Sequence, residues 1–444
     1  MNKLLQLRYC IPLTLWAVFS ALFSPAVRGR LCHVPRVPLR ISEDFFGINI
    51  ATSEDERCDD YVIARLQELD IRNVRLAFSY CSLDGPAARF LDKLLDNHFL
   101  VSLVVLPPMD AARKMLTDSG VQEQWRRFVA KVLDRYAQRV EIIEIGSTPN
   151  RKKWTGLTPR RYLQAWEIAC AAAKNYSVPL AGPNVQDFEP MYNAALLFVM
   201  RRIARIPEIH TDNLFVERVV EPEAYDHRVL GKWATNLLKL NLVKKARLLQ
   251  YLGERAGCKR TISTCNFWTT KRLSRRTAYP QEKKVDYLVR YLVLAATSGA
   301  LSRVYWGPMI CGRDGLVDDC ANGDYPEVDN SSFYRSVRGN VDDFVVTPAF
   351  HALGHIVQRL RNATCDKAVH AFDGLSHFAF TGLDDGRFHI CWCRDGQTVA
   401  LTDVFSAEQL SAAVFTDPCG KTVSSPVVIS ERPLFIDFPR RSRE

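Results

Sequence analysis

The sequence lacks a glycine-rich phosphate loop. After its first β-like segment, Phe45 to Ile50, the run Gly47-Ile48-Asn49 holds a single glycine. A dinucleotide fold needs several glycines there for its backbone to approach a pyrophosphate, so nucleotide binding has no support. The chain also lacks repeats of fixed period, low-complexity tracts and, beyond its first 26 residues, any apolar run long enough to span a bilayer. Solenoids and polytopic helical membrane proteins are thereby excluded. No second Cys or His pair at zinc-finger spacing accompanies Cys391-Trp392-Cys393, and neither metal nor cofactor is expected.

Four features stand out. The 444 residues are 47% hydrophobic and 24% charged, enough apolar material for a large core. The first 26 residues carry Lys3 and Arg8, an apolar run from Ile11 to Phe23, and Ser24-Pro25-Ala26, the pattern of an export signal. A secreted or periplasmic protein is expected, with an uncleaved short anchor as the alternative. Setting aside Cys10, twelve of the 13 cysteines remain, and in an oxidising compartment some should pair. Candidates are Cys311 with Cys320, and Cys391 or Cys393 with Cys365 or Cys419. The net charge of +10 points to an anionic partner. For an exported chain that means acidic saccharide, lipopolysaccharide or a phospholipid surface reached by peripheral association, and not nucleic acid.

Apolar β-like segments alternate with amphipathic helical ones. The strands are read at Phe45 to Ile50, Asn73 to Phe78, Leu100 to Leu106, Val140 to Ile145, Pro179 to Ala181, Asn213 to Val219, Thr261 to Cys265 and Arg303 to Trp306. Seven helical stretches lie between them and an eighth runs from Thr347 to Leu360, the count that closes a (β/α)8 TIM barrel over residues 40–360. From 361 to 444 short strands separated by Asp-Gly turns at Asp373, Asp385 and Asp395 predict a small antiparallel β-sandwich domain.

Barrel chemistry is carried by the C-terminal strand ends. The fourth strand runs into Gly146-Ser147-Thr148-Pro149-Asn150 with Trp154 following, and the seventh into Thr264-Cys265-Asn266-Phe267-Trp268. These segments, with Val74-Arg75-Leu76 and Tyr305-Trp306, resemble the clan A glycoside hydrolases, family 39-like members in particular, over roughly residues 42–437. The resemblance implies a general acid/base where Thr148 stands, a nucleophile where Cys265 stands, and Ser147 in place of an asparagine that would hold a sugar hydroxyl. A retaining mechanism needs two carboxyl groups about 5 Å apart, and threonine and cysteine do not replace them.

Three readings follow. In the first, a degenerate glycosidase keeps a saccharide cleft, with Trp154, Trp268, Tyr305 and Trp306 stacking on sugar faces while Arg75, Ser147, Asn150, Asn184 and Glu217 bond hydroxyl or acidic groups. In the second, hydrolysis persists through relocated carboxylates, Glu217 first, then Asp187, Asp314 or Asp318. Glu144, three residues before the strand end, reads as structural. In the third, the chain is a disulfide-stapled envelope scaffold with no sugar affinity. A Cys265 nucleophile served by His210 or His227 is a fourth and remote idea. The basic run Lys271 to Arg276 fits contact with an anionic glycan or lipid and equally a solvated loop.

Overall fold

The computed structural model describes residues 37–214, 220–224, 240–321, 336–369 and 374–439. Eight parallel strands close into a barrel: β1 (Phe46–Asn49), β2 (Asn73–Phe78), β3 (Leu100–Val105), β4 (Ile142–Ile145), β5 (Leu180–Gln186), β6 (Ile209–Asn213), β7 (Arg260–Asn266) and β8 (Arg303–Trp306). Closure is made by β1 beside β8, Phe46 opposite Val304 and Ile48 opposite Trp306. The helices that follow the strands are α1 (Glu56–Glu68), α2 (Pro86–Asp96), α3 (Ser119–Tyr136), α4 (Pro159–Ala172), α5 (Pro190–Arg202), α6 (Leu242–Ala256), α7 (Pro280–Thr297) and α8 (Pro348–Leu360). Among the described residues no helix is long and apolar enough to cross a membrane. The expected export segment lies outside the described residues.

Local chemistry sets the helix ends. The Asp118 carboxylate accepts from the N–H groups of Gly120 and Val121 to start α3, and the Asn241 side chain accepts from Lys244 N to start α6. Gly257, at φ +112°, ends α6 in a left-handed cap that a β-carbon would strain.

The lower barrel is a packed layer of Ile142, Ala181, Ile209, Ile262 and Tyr305. Below it, at the N-terminal end, Arg303 is gripped by Glu141 at 2.5 and 3.1 Å and donates to Tyr305 Oη at 3.2 Å. The Tyr305 ring passes so close to β1 that a β-carbon on Gly47 would lie 2.6 Å from it.

Two strand expectations are corrected. The sixth strand is Ile209–Asn213, not Asn213 to Val219, most of which lies outside the described residues. His210 and Asp212 turn outward to bond Asn193 on α5, so the strand wears its polar residues toward its helices and shows no apolar alternation. The fifth strand, Leu180–Gln186, continues five residues past the expected end at Ala181, which carries Asn184 into the barrel.

The C-terminal region forms a six-stranded antiparallel sheet: β9 (Thr364–Val369), β10 (Ser376–Thr381), β11 (Arg387–Trp392), β12 (Val414–Thr416) and β13 (Leu434–Phe438), joined at one edge by Leu39–Arg40. Strand alternation gives it two apolar faces. Phe378, Phe380, Phe388, Ile390 and Trp392 join the barrel's core, while Cys391, Cys393, Phe405 and Ile436 form a separate cluster. The expected disulfides are not formed among the described residues. Cys365 belongs to the barrel-facing core and Cys391 and Cys393 to the opposite cluster, so the sheet itself separates them. Cys311 is buried and Cys320 exposed.

Between sheet and barrel, Arg290 of α7 is fully buried. Its guanidinium donates to both oxygens of Glu223 at 3.0 and 2.7 Å and to Glu221, and Trp392 Nε1 donates to Glu223 at 2.5 Å. Substituting Gly47→Ala should cost roughly 1–3 kcal/mol, because the new methyl must displace the packed Tyr305 ring. Urea denaturation of the two proteins measures this.

Candidate functional site

The barrel mouth is wired from a buried ion pair upward. Arg75, at the middle of β2, clasps Glu144 of β4 through two bonds, Nη2 to Oε1 at 2.7 Å and Nε to Oε2 at 3.0 Å. The Glu144 side chain is 1% exposed and that of Arg75 13%. Burial works against the guanidinium charge, yet the adjacent Glu144 carboxylate outweighs it and holds Arg75 above its usual range.

Asparagines at the strand ends extend the network. Asn49 accepts from Arg75 Nη1 at 2.9 Å and donates to the carbonyls of Thr264 and Trp306 at 3.0 and 3.2 Å. Asn184 donates to Glu144 at 2.6 Å and to Ser147 Oγ at 3.0 Å, and accepts from the Thr264 hydroxyl at 2.7 Å. That hydroxyl also meets Asn213 Oδ1, whose amide donates to Gln186 Oε1 at 2.6 Å. Asn150 bridges the fourth and fifth loops, donating to Gln186 O at 2.9 Å and to Glu189 at 2.8 Å while accepting from Gln186 N at 2.9 Å.

Thr148 and Cys265 converge on this network. Thr148 N donates to Asn184 O at 2.9 Å, and Cys265 follows Thr264, which bonds the Asn184 amide. Thr148 is 5% exposed, its hydroxyl has no protein partner, and its φ is +49°. A β-branched residue in the left-handed region stores about 1–3 kcal/mol of strain, the mark of a segment held for a purpose other than stability. Gly146, Asn184 and Asp187 share positive φ at the same strand ends. Cys265 is half-buried, and its thiol donates to Gly307 O at 3.6 Å.

The sequence-derived residues separate into two groups. Arg75, Ser147, Asn150, Trp154 and Cys265 are partly exposed at the mouth, with Thr148 and Asn184 buried directly beneath. Trp268, Tyr305 and Trp306 are corrected: they are 0%, 0% and 1% exposed and offer no face to a sugar. Trp268 stacks on Trp306 at 5.9 Å and 22°, and both pack on Tyr291 of α7. A register shift in β7 between Ser263 and Asn266 breaks the two-residue alternation that would have aimed Trp268 inward. Tyr305 belongs to the bottom layer. Glu217 and His227 lie outside the described residues. Asp314 is buried beside Arg313, and Asp187 and Glu189 both hold Arg151, at 3.1 and 2.5 Å. Sequence reasoning missed Asn49, Gln186, Asn213 and Thr264. The available signal was the recurrence of asparagine at or just past strand ends, at 49, 150, 184, 213 and 266.

Behind β6 lies a buried polar chain. Burial drives Asp212 well above the ordinary carboxylate range and lowers His210 to about 4. His210 contacts Leu249 O at 3.1 Å through Nδ1 and the Asn193 amide at 2.7 Å through Nε2. Nε2 faces Asn193 Oδ1, and the Asn193 amide nitrogen donates to Asp212 Oδ2 at 2.8 Å, so both ring nitrogens are engaged behind the strand. His210 is therefore no base for Cys265.

Two outcomes test these assignments. Glu144→Gln should destabilise the fold by about 3–5 kcal/mol by leaving Arg75 buried without its counter-charge, read by chemical denaturation. Asp212 releases its proton when unfolded but keeps it when folded, so its stabilising share is present below about pH 4 and is lost as pH rises. Asp212→Asn should thus gain stability over the parent with rising pH, by up to about 1.4 kcal/mol per unit, and equal pH profiles would show an ionised Asp212.

No protein-family model matches the sequence, and no curated protein matches it. Solved structures do resemble it. A family 39 glycoside hydrolase from Bacteroides cellulosilyticus WH2 superposes with TM-score 0.65 at 12% identity, over 90% of this chain and 81% of that one. A glucosidase from Croceicoccus marinus gives 0.58 at 11% identity over 92% and 97%, and the catalytic domain of GH30 xylanase C from Talaromyces cellulolyticus 0.52 at 10% over 91% and 99%. With its closed eight-stranded barrel and companion antiparallel sheet, the chain has the fold of the clan A glycoside hydrolases.

Proposed function

We propose that this protein is an exported, cell-envelope saccharide-binding member of the glycoside hydrolase-like barrels that has lost hydrolysis by the two-carboxylate route. The observation that carries the proposal is the barrel mouth itself: a polar, hydrogen-bonding surface of Arg75, Ser147, Asn150 and Trp154 surrounds two positions occupied by Thr148 and Cys265. Neither side chain supplies a carboxylic acid to protonate a leaving oxygen or a carboxylate to attack an anomeric carbon. The polar shell is nonetheless retained at the price of strain and buried charge.

The relocated-carboxylate reading has less support among the described residues. Asp187 and Glu189 share Arg151, Glu144 is sealed under Arg75, and Asp212 lies behind β6. The net charge of +10 favours an acidic saccharide as partner and permits peripheral association with an anionic membrane surface. The context that suits such a protein is surface-polysaccharide metabolism, where a retained cleft without turnover can hold or present a chain.

Calorimetric titration with oligosaccharides, alongside an assay for reducing-end release, tests the proposal. Binding without release is expected, with affinity lowered about five- to thirtyfold by Trp154→Ala, since a stacked aromatic in a sugar site contributes on the order of 1–2 kcal/mol. Release that persists in Thr148→Ala/Cys265→Ala protein would instead establish relocated catalysis, and the absence of any binding would favour a scaffold.

A further inference from the structure

The positive charge of this protein is concentrated where the cleft is. The segment after β4, residues 146–161, holds Arg151, Lys152, Lys153, Arg160 and Arg161 and no acidic residue. The segment that begins at Cys265 and runs to Tyr279 holds Lys271, Arg272, Arg275 and Arg276, again with no acidic residue. These are the two loops that carry the Thr148 and Cys265 positions. They leave strands three places apart in a ring of eight, so they rise from nearly opposite sides of the mouth.

Several surface cations elsewhere are neutralised locally. Arg126 and Arg127 share Glu123, Arg135 and Arg139 share Asp92, and Lys93 meets Glu56 and Asp60. On the two loops Arg151 has a carboxylate partnership of this kind, with Asp187 and Glu189 of the next loop. Lys152, Arg160, Lys271, Arg275 and Arg276 are exposed and form no ion pair with any described residue.

Local electrostatics make the arrangement costly without a ligand. Arg160 and Arg161 occupy the first turn of α4, a 14-residue helix with no acidic residue in that turn. A helix N-terminus carries partial positive charge, so cations there are repelled where anions would be stabilised. Beside them Trp154, on the one-turn helix Lys152–Thr155, is half-buried, its indole nitrogen itself buried without a hydrogen-bond partner. Gly156 ends that turn at φ +75°, so close to the Met109 carbonyl that the turn is pinned against the neighbouring loop.

We propose that the two loops form an anion-reading rim, with the saccharide bound across the mouth being a polyanion whose carboxylate, sulfate or phosphate groups meet Lys152 and Arg160 on one side and Lys271, Arg275 and Arg276 on the other. This deepens the saccharide reading of the same cleft and rests on it. Trp154, half-buried on the same turn as Lys152, supplies the aromatic surface beside that set of charges.

The full chain is titrated with oligogalacturonate and dextran sulfate, and with their uncharged counterparts, methyl-esterified oligogalacturonate and dextran. Duplex DNA and phosphatidylglycerol vesicles serve as competing polyanions. The charged sugars should bind at least tenfold more tightly than the neutral ones, with affinity falling as salt rises. The reversals Lys152→Glu/Arg160→Glu and Lys271→Glu/Arg275→Glu should each weaken binding about tenfold or more, whereas Lys131→Glu/Lys421→Glu, on exposed sites away from the mouth, should not. Equal affinity for charged and neutral sugars overturns the rim and leaves the saccharide reading standing. Equal loss from the control reversal, or displacement of the sugar by DNA or vesicles at equal charge, also overturns it by showing a general polyanion surface. Failure of every sugar to bind overturns both.

Discussion

Everything at the mouth of this barrel depends on the burial of one ion pair. Arg75 and Glu144 stand on β2 and β4, separated by β3, inside a barrel whose lower half is dry and apolar. Two charges taken out of water persist only if each remaining donor and acceptor is met. Asn49 meets the free guanidinium arm and Asn184 the carboxylate, and their own remaining groups are passed on to Thr264, Ser147, Asn213 and Gln186. The ion pair thus dictates an amide-rich ring, and the ring fixes the backbone at Thr148.

The ring has a floor and therefore a single open side. Tyr305 fills the barrel beneath it, and Arg303 with Glu141 closes the lower end. Gly47 is the counterpart of that plug, since the strand beside Tyr305 has no room for a side chain. A ligand reaching Asn184 or Thr148 must come from the loop side, which is also where Lys152, Arg160, Lys271, Arg275 and Arg276 are exposed.

The fold was legible because most barrel strands are buried apolar runs separated by amphipathic helices, and such runs declare themselves in sequence. Ile209–Asn213 did not, since His210 and Asp212 satisfy their polarity against Asn193 and Leu249 behind the strand, a pairing visible only in three dimensions. At the site, Ser147 and Asn150 were placed by the end of the fourth strand and Arg75 by its position as a charge within the apolar second strand. Trp268 was misread because a bulge precedes it, and Trp306 because it alternates with the inward Tyr305 and so faces α7. The cysteine pairings failed for a related reason: spacing along the chain does not say which face of a sheet a thiol occupies.

The junction of Arg290, Glu223 and Trp392 gives the C-terminal sheet a role beyond decoration. Arg290 belongs to a barrel helix, its acidic partners to a barrel loop, and the indole that completes their coordination to the sheet. A barrel released from that sheet would expose the apolar flank of α7 and α8 and wet a charge cluster built for dryness. The two regions are consequently one unit of handling, since separating them would break the seam, and Glu221 and Glu223 are held in place by a barrel helix and by the sheet together.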